Sequence, residues 1–322
     1  MIHKRKFNPE DDLGFGTQPV IKNQPLIRQD GSVNVKRTGL PFLNTADNYH
    51  KLITMSWTKF WILVLCGYLV INTFFAFIYL FIGVQNLNGA EGINTYQHFW
   101  DAFFFSAQTI STVGYGHISP RGMAANSVAA LESMMGLLAF ALATGLLYGR
   151  FSRPTAKIVY SPNLLVAPYG DNGRGIMFRL ANLRRSTLID LQMEITFSYN
   201  EDVDGKKVRR FFPLELERKK VSILTLSWTI VHPLDENSPL KDITPNDLRD
   251  SQASFSVLLR AFDDTFSQTV HSRTSYQFEH MVWNAKFKPA FDRDEDGRIV
   301  LNMSKINDFA KLEPEPQTPS IV

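Results

Sequence analysis

Two stretches without charge, each long enough to cross a bilayer, bracket a short polar segment and limit what this chain can fold into. From Phe60 to Val84 there is no Asp, Glu, Lys or Arg, and from Met123 to Tyr148 the only one is Glu132. An apolar helix of about 20 residues crosses the roughly 30 Å hydrocarbon layer, so both stretches qualify as spans. The average hides them: a hydrophobic share of 44% over 322 residues, with a slightly negative mean hydropathy, would also fit a soluble two-domain protein. A net charge of +3 is too small to imply a nucleic-acid partner.

The position of the charges says more than their sum. Lys4, Arg5, Lys6, Lys36 and Lys51 precede the first span, Arg150, Arg153 and Lys157 follow the second, and only Arg121 lies between them. By the positive-inside rule both termini are cytoplasmic and the connecting segment faces outward. The N-terminus is polar and basic, so no removable signal peptide is expected and the first span itself directs insertion. The single cysteine, Cys66, lies within that span and excludes an intrachain disulfide.

Between the spans, Gln85 to Thr95 reads as an outer loop, and 96–111 as an apolar helix too short to cross. It leads into Thr112, Val113, Gly114, Tyr115 and Gly116. This pentapeptide between two spans is the signature expected of a K⁺ selectivity filter, where stacked backbone carbonyls and a threonine hydroxyl replace the ion's hydration shell. Gly114 and Gly116 suit backbone angles that a β-carbon resists, and Tyr115 braces the loop from behind. The negative end of the short helix's dipole favours a cation on the pore axis.

The expected organisation is a cytoplasmic arm over 1–46, an amphipathic helix over 47–57 lying along the inner membrane surface, and a pore domain over 58–154. In the second segment Asp47 is the expected N-cap, with Tyr49, Leu52, Ile53 and Trp57 on one face. The pore domain has spans at 58–84 and 122–151, the pore helix at 96–111 and the filter at 112–116. In the second span Gly136, Gly145 and Gly149 are small enough for close helix approach or bending.

From residue 155 the texture changes to short β-rich runs: Ile158 to Tyr160, Ile176 to Ala181, Leu188 to Tyr199, Val221 to Val231, Phe255 to Phe262 and Thr269 to Phe278. Turn residues such as Asp204-Gly205 separate them, which predicts an antiparallel sandwich over 155–312. Pro245 to Asp250 is the one helix expected there, and 313–322 is expected to be a disordered tail. Asp292, Asp294, Asp296 and Gly297 match half of an EF-hand loop, but Met303 stands where the bidentate glutamate belongs, so a hairpin turn is the better reading. No residue set forms a hydrolase or metal motif. No enzyme and no organic cofactor are expected.

The order of a surface helix, two spans around TVGYG and a β-rich C-terminal domain resembles the inward-rectifier potassium channels, and within them the bacterial, KirBac-type branch. The supporting stretches are Asp47 to Leu52 with Trp57, Gly149-Arg150-Phe151-Ser152-Arg153-Pro154, Asn182-Leu183-Arg184-Arg185-Ser186 and Phe262 to Val270. They implicate most of residues 47–312. The resemblance implies a homotetramer in a bacterial inner membrane, with an immunoglobulin-like sandwich extending the conduit into the cytoplasm.

It also implies roles for single residues. Asp190, with Asp263 or Asp264, matches acidic rings lining the cytoplasmic conduit, where polyamines or Mg²⁺ would bind as blockers. Gln108 stands where relatives carry a filter-bracing glutamate, and Glu132 is expected to turn toward the pore helix with Gln108 as its partner. Tyr148 matches the bulky residue of the inner gate, with Gly136 and Gly145 as hinges. Phe140 occupies the cavity position that is acidic in strong rectifiers. Arg150, Arg153, Lys157, Arg184 and Arg185 match part of a basic cluster that attracts anionic lipid. The rival reading is a membrane-anchored sensor or scaffold whose pore loop merely packs the bundle; ion flux discriminates between the two.

Overall fold

In a computed structural model, residues 27–36, 38–39, 45–153, 156–170 and 173–312 are described. The expected tail and most of the N-terminal arm lie outside them. The described residues form two compact units, one within 39–153 and the other made of those up to 38 together with those after 154.

The first unit is helical: α1 (Thr45–Thr54), α2 (Trp57–Ile82), α3 (Thr95–Ile110) and α4 (Gly122–Phe151). α1 begins two residues before the expected cap at Asp47, and Trp57 opens α2 instead of closing α1. Ser56, in extended conformation, separates the two helices. α2 and α4 are long and apolar enough to cross a membrane. Asn94 caps α3 by accepting the Gln97 N–H at 2.9 Å. Phe75, Ala76 and Tyr79 of α2 pack with Ala102 and Phe105 of α3 and Ala129 of α4. Bulky side chains such as Val70, Phe74 and Phe81 on α2 and Leu137, Phe140 and Leu142 on α4 stay exposed in the single chain, as helices facing lipid or further copies require. Two short strands, β1 (Leu87–Asn88) and β2 (Ser119–Pro120), pair antiparallel and tie the two outer loops together.

The second unit is the expected sandwich. Its strands are β3 (Ile158–Tyr160), β4 (Leu164–Tyr169), β5 (Gly173–Asn182), β6 (Leu188–Val203), β7 (Lys206–Pro213), β8 (Lys220–Leu224), β9 (Ser227–Pro233), β10 (Ser254–Asp263), β11 (Gln268–Gln277) and β12 (Met281–Trp283). One sheet runs β11-β10-β6-β7 with β8 also on β6; the other runs β12-β4-β5-β3 with β9 also on β5. Inward residues of both sheets, among them Phe178, Leu191, Phe197, Phe255, Trp228 and Tyr276, form one core. α5 (Pro245–Asp250) has the bounds read from sequence, started by a capping box between Thr244 and Asp247.

The run expected from Val221 to Val231 is two strands, because the chain bends at Thr225 and Leu226 and passes from the first sheet to the second. No Gly, Pro, Asn or Asp marks that crossing. Among the remaining short strands, β14 (Phe291–Arg293) and β15 (Ile299–Leu301) follow β13 (Ala285–Phe287) and form the hairpin expected around Asp296-Gly297. Gly297 supplies the left-handed residue, φ 77°.

Candidate functional site

The segment expected to form the filter grows out of the end of α3. Ser111 closes the helix, and beyond it the Thr112 N–H donates to the Thr109 carbonyl at 3.1 Å and the Val113 N–H to the Gln108 carbonyl at 3.0 Å. This pair of bonds is a Schellman motif, in which the residue after the cap turns left-handed. That residue is Thr112, with φ 58°, a position normally given to glycine and uncommon for a β-branched side chain. Gly114, whose N–H also reaches the Gln108 carbonyl, has φ 54°, and Gly116 has φ 81°. Val113 and Tyr115 between them are not left-handed. A left-handed residue at every second position is the backbone pattern by which carbonyls that would alternate along a strand can be turned toward one side, as a K⁺ coordination site requires. The residues of the segment are exposed in the single chain, Tyr115 by 79%. Tyr115 braces nothing within its own chain among the described residues.

At its far end the segment is held by the β1–β2 ribbon and by the Arg121 N–H, which donates to the Asn86 carbonyl at 2.7 Å. Behind it, α4 presses on α3 at Gly136, where an added β-carbon would stand 2.1 Å from the Ile110 carbonyl oxygen. The expected hinge at Gly136 is therefore a close-packing site. Gly145, by contrast, has open space around it, and α4 runs through both glycines as one helix.

Glu132 is fully buried one turn before Gly136, as a costly intramembrane carboxyl group should be. Its partner is not Gln108. The Tyr79 hydroxyl donates to Glu132 Oε2 at 2.7 Å, the Ser106 hydroxyl contacts Oε1, and Ser106 also lies 3.0 Å from Asn72 Oδ1. The Gln108 side chain makes no hydrogen bond among the described residues; its carbonyl is what accepts from the Val113 and Gly114 N–H groups. Tyr79, Asn72 and Ser106 were missed from sequence. The one signal for them is that they are polar groups inside otherwise apolar helices.

Phe140 and Tyr148 project from α4 with exposures of 76% and 74%. Arg150 does not: its guanidinium donates to the Leu52 and Met55 carbonyls at 2.6 and 2.7 Å and lies 4.5 Å from the Trp57 ring centre and 4.6 Å from that of Phe60. The fork of an arginine, with five donors, thus closes the end of α1 against α4, a role different from the lipid contact expected for it. Arg153 is exposed.

In the sandwich, Lys157 and Arg185 are exposed, while Arg184 stacks 5.2 Å over Phe266. Asp190 is an exposed left-handed residue, φ 49°, where the register between β6 and β10 slips. It opens on a groove of about 540 Å³ that Lys220 and Arg260 also line. Asp263 is 1% exposed and accepts from the Ser186 hydroxyl and the Thr265 N–H, at 3.2 and 3.0 Å. It is a turn-forming carboxylate, which leaves exposed Asp264 as the second ring candidate. No group of three or more acidic, His or Cys side chains among the described residues is arranged to hold a metal.

A family model for the inward rectifier potassium channel C-terminal domain matches residues 158–320, and a model described as an ion channel matches residues 52–153. The chain is 37% identical over 298 residues to the inward rectifier potassium channel Kirbac3.1 of Paramagnetospirillum magnetotacticum, covering 92% of this chain and 99% of that one. It is 25% identical to the ATP-sensitive inward rectifier potassium channel 15 of Mus musculus over 342 residues, 93% of this chain and 88% of the relative. The ATP-sensitive inward rectifier potassium channel 12 of Gallus gallus is 24% identical over 336 residues, 95% and 76% of the two chains.

Proposed function

Since this chain belongs to the inward rectifier potassium channel family, we propose that it is a homotetrameric channel whose Thr112 to Gly116 segments line one K⁺ selectivity filter. The alternation of left-handed residues at Thr112, Gly114 and Gly116 carries this reading: it gathers carbonyls on one side, and only several copies around an axis complete a coordination shell from them. The exposure of Tyr115 in the single chain fits packing against a neighbouring copy. K⁺ passes down its electrochemical gradient as permeant ion, with no chemical step.

The remaining parts follow the same reading. Glu132 and its partners support the filter from behind. Tyr148 closes the inner end of the path by bulk and dewetting, with Gly145 as the flexible point. Asp190 and Asp264 line the cytoplasmic conduit, and Arg153, Lys157, Arg184 and Arg185 attract anionic headgroups. The channel sits in a bacterial inner membrane with both termini in the cytoplasm. Uptake of labelled Rb⁺ into liposomes holding the pure protein, driven by a K⁺ gradient and blocked by Ba²⁺, is the expected result; a folded tetramer that passes no Rb⁺ in any lipid would leave the scaffold reading standing.

A further inference from the structure

The buried polar cluster behind the filter does not contain enough protons if Glu132 is a carboxylate. Five oxygens meet in three contacts: the Tyr79 hydroxyl on Glu132 Oε2, Glu132 Oε1 on the Ser106 hydroxyl, and that hydroxyl on Asn72 Oδ1. The orientation of the Asn72 amide is fixed, because its Nδ2 donates to the Tyr68 carbonyl at 2.7 Å and leaves Oδ1 facing Ser106; the reverse orientation would set two carbonyl oxygens against each other. Three oxygen–oxygen contacts therefore require three protons. A tyrosine and a serine hydroxyl supply one each.

We propose that Glu132 carries the third proton, on Oε1, and acts as a neutral carboxylic acid that positions the pore helix. The chain of donors is then complete: Tyr79 to Oε2, Oε1–H to Ser106, Ser106 to Asn72, and Asn72 to the Tyr68 carbonyl. It joins α2, α3 and α4 without a charge. In the ionised form Ser106 has one proton for two acceptors, and a fully buried anion is left with no basic neighbour among the described residues. Among the described residues Tyr79 is the one titratable side chain that hydrogen-bonds to it, and from α3 that bond comes from Ser106. Glutamine reproduces the heavy-atom shape of the protonated acid and its donor and acceptor, its oxygen accepting from Tyr79 and its amide donating to Ser106, and cannot reproduce the anion. Leucine, of similar size, reproduces neither.

The inference rests on the filter-support reading but can be tested apart from it. Infrared spectra of the full-length tetramer in lipid at neutral pH, wild type minus Glu132→Gln, should show a carboxylic-acid carbonyl band that shifts on deuteration. Glu132→Gln should keep wild-type Rb⁺ flux and K⁺ over Na⁺ selectivity, whereas Glu132→Leu should lose about tenfold or more in flux through its unpaired Tyr79 and Ser106 hydroxyls. A difference spectrum showing loss of a carboxylate instead, or a Gln variant that fails to assemble or conducts as poorly as the Leu variant, would overturn the proposal. The band is read on protein whether or not it conducts. If the acid band is present while the wild type passes no Rb⁺, the channel reading fails and the protonation assignment survives.

Discussion

Gly136 of α4 lies so close to Ile110, the last residue of α3, that a β-carbon on the glycine would stand 2.1 Å from the Ile110 carbonyl oxygen. Both atoms belong to backbone, so neither yields without moving a helix. Gly136→Ala should therefore destabilise the pore unit by about 1–3 kcal/mol, the usual range for overpacking, and misplace the filter. Gly145→Ala, with nothing within 4 Å of the added carbon in its own chain, should leave folding intact and affect only gating. Thermal melting of the purified tetramer beside Rb⁺ flux separates the two; equal stability losses would show that Gly145 is packed in the assembly as tightly as Gly136.

At Gly114 and Gly116 space is not the constraint, since an added carbon would meet nothing within 4 Å. The constraint is φ, at 54° and 81°, which costs an L side chain about 1–2 kcal/mol. Four copies of that strain would act on one filter. Gly114→Ala should accordingly abolish discrimination between K⁺ and Na⁺ before it abolishes assembly. Reversal potentials in mixed K⁺ and Na⁺ solutions check this, and unchanged selectivity in an intact tetramer would remove the segment from ion coordination.

Arg150 and Arg153, three residues apart, should behave differently. Arg150→Gln removes two charge-assisted hydrogen bonds, to the Leu52 carbonyl of α1 and the Met55 carbonyl just after it, and the contacts with Trp57 and Phe60, a loss of about 1.5–3 kcal/mol for each such bond. Tetramer yield and melting temperature should fall whatever the lipid. Arg153→Gln should leave both unchanged and weaken the response of flux to anionic lipid, worth about 1 kcal/mol per surface charge. Reconstitution across a series of anionic lipid fractions tests the pair; a normal melting temperature for Arg150→Gln would refute the clamp.

Some of this was legible in the sequence and some was not, for reasons visible in particular residues. α4 was read to its bounds because Arg121 stands just before an apolar run and Arg150 and Arg153 close it, and a span is a property of consecutive residues. The Schellman geometry was not legible, since Thr112 occupies a position that usually betrays itself by glycine. The contacts of Glu132 join residues 53 and 26 positions away, and no local period records which turns of three helices will face one another. β7 was overlooked because it begins Lys206-Lys207 and lies at the edge of its sheet, where charge discourages pairing with other chains. Asp263 read as a candidate for the acidic ring because its burial inside a turn depends on Ser186, which lies 77 residues away.

His232 gives the sandwich a pH dependence of definite sign. It is 2% exposed, its Nδ1 bonded to the Glu215 carbonyl at 2.5 Å and its Nε2 to the Ser238 hydroxyl at 2.8 Å. Burial pulls its pKa below the ordinary value, against the opposing pull of the Glu215 carbonyl and the charges of Asp235 and Glu215. The folded state thus binds this proton less readily than the unfolded one. The stabilisation is full above about pH 6.5, the unfolded value, and is lost as pH falls from there toward the folded pKa, by about 1.4 kcal/mol per unit of difference. Denaturation of the full chain between pH 8 and 5 should show this decline, and His232→Asn should flatten it. An equal acid slope in the variant would assign the effect to other groups.

Rectification should be weak despite the family name. Strong voltage-dependent block needs carboxylates converging on a multivalent cation, and the cavity-facing candidate on α4 is Phe140, whose ring offers at most a modest cation–π attraction. The cytoplasmic candidate, Asp190, is exposed, and the groove it opens on also holds Lys220 and Arg260. Two cations beside each carboxylate leave that groove net positive, so spermine meets repulsion where an isolated acidic ring would attract it. What block there is should fade with salt, because exposed charges are screened over about 8–10 Å at physiological ionic strength. In patch recordings with spermine on the cytoplasmic side, Phe140→Asp should deepen block, and Arg260→Gln should deepen it less, through Asp190. Asp190→Asn should relieve the residual block of the wild type. Steep spermine block in the unmodified channel, or no change with Phe140→Asp, would show that α4 presents a different residue to the cavity.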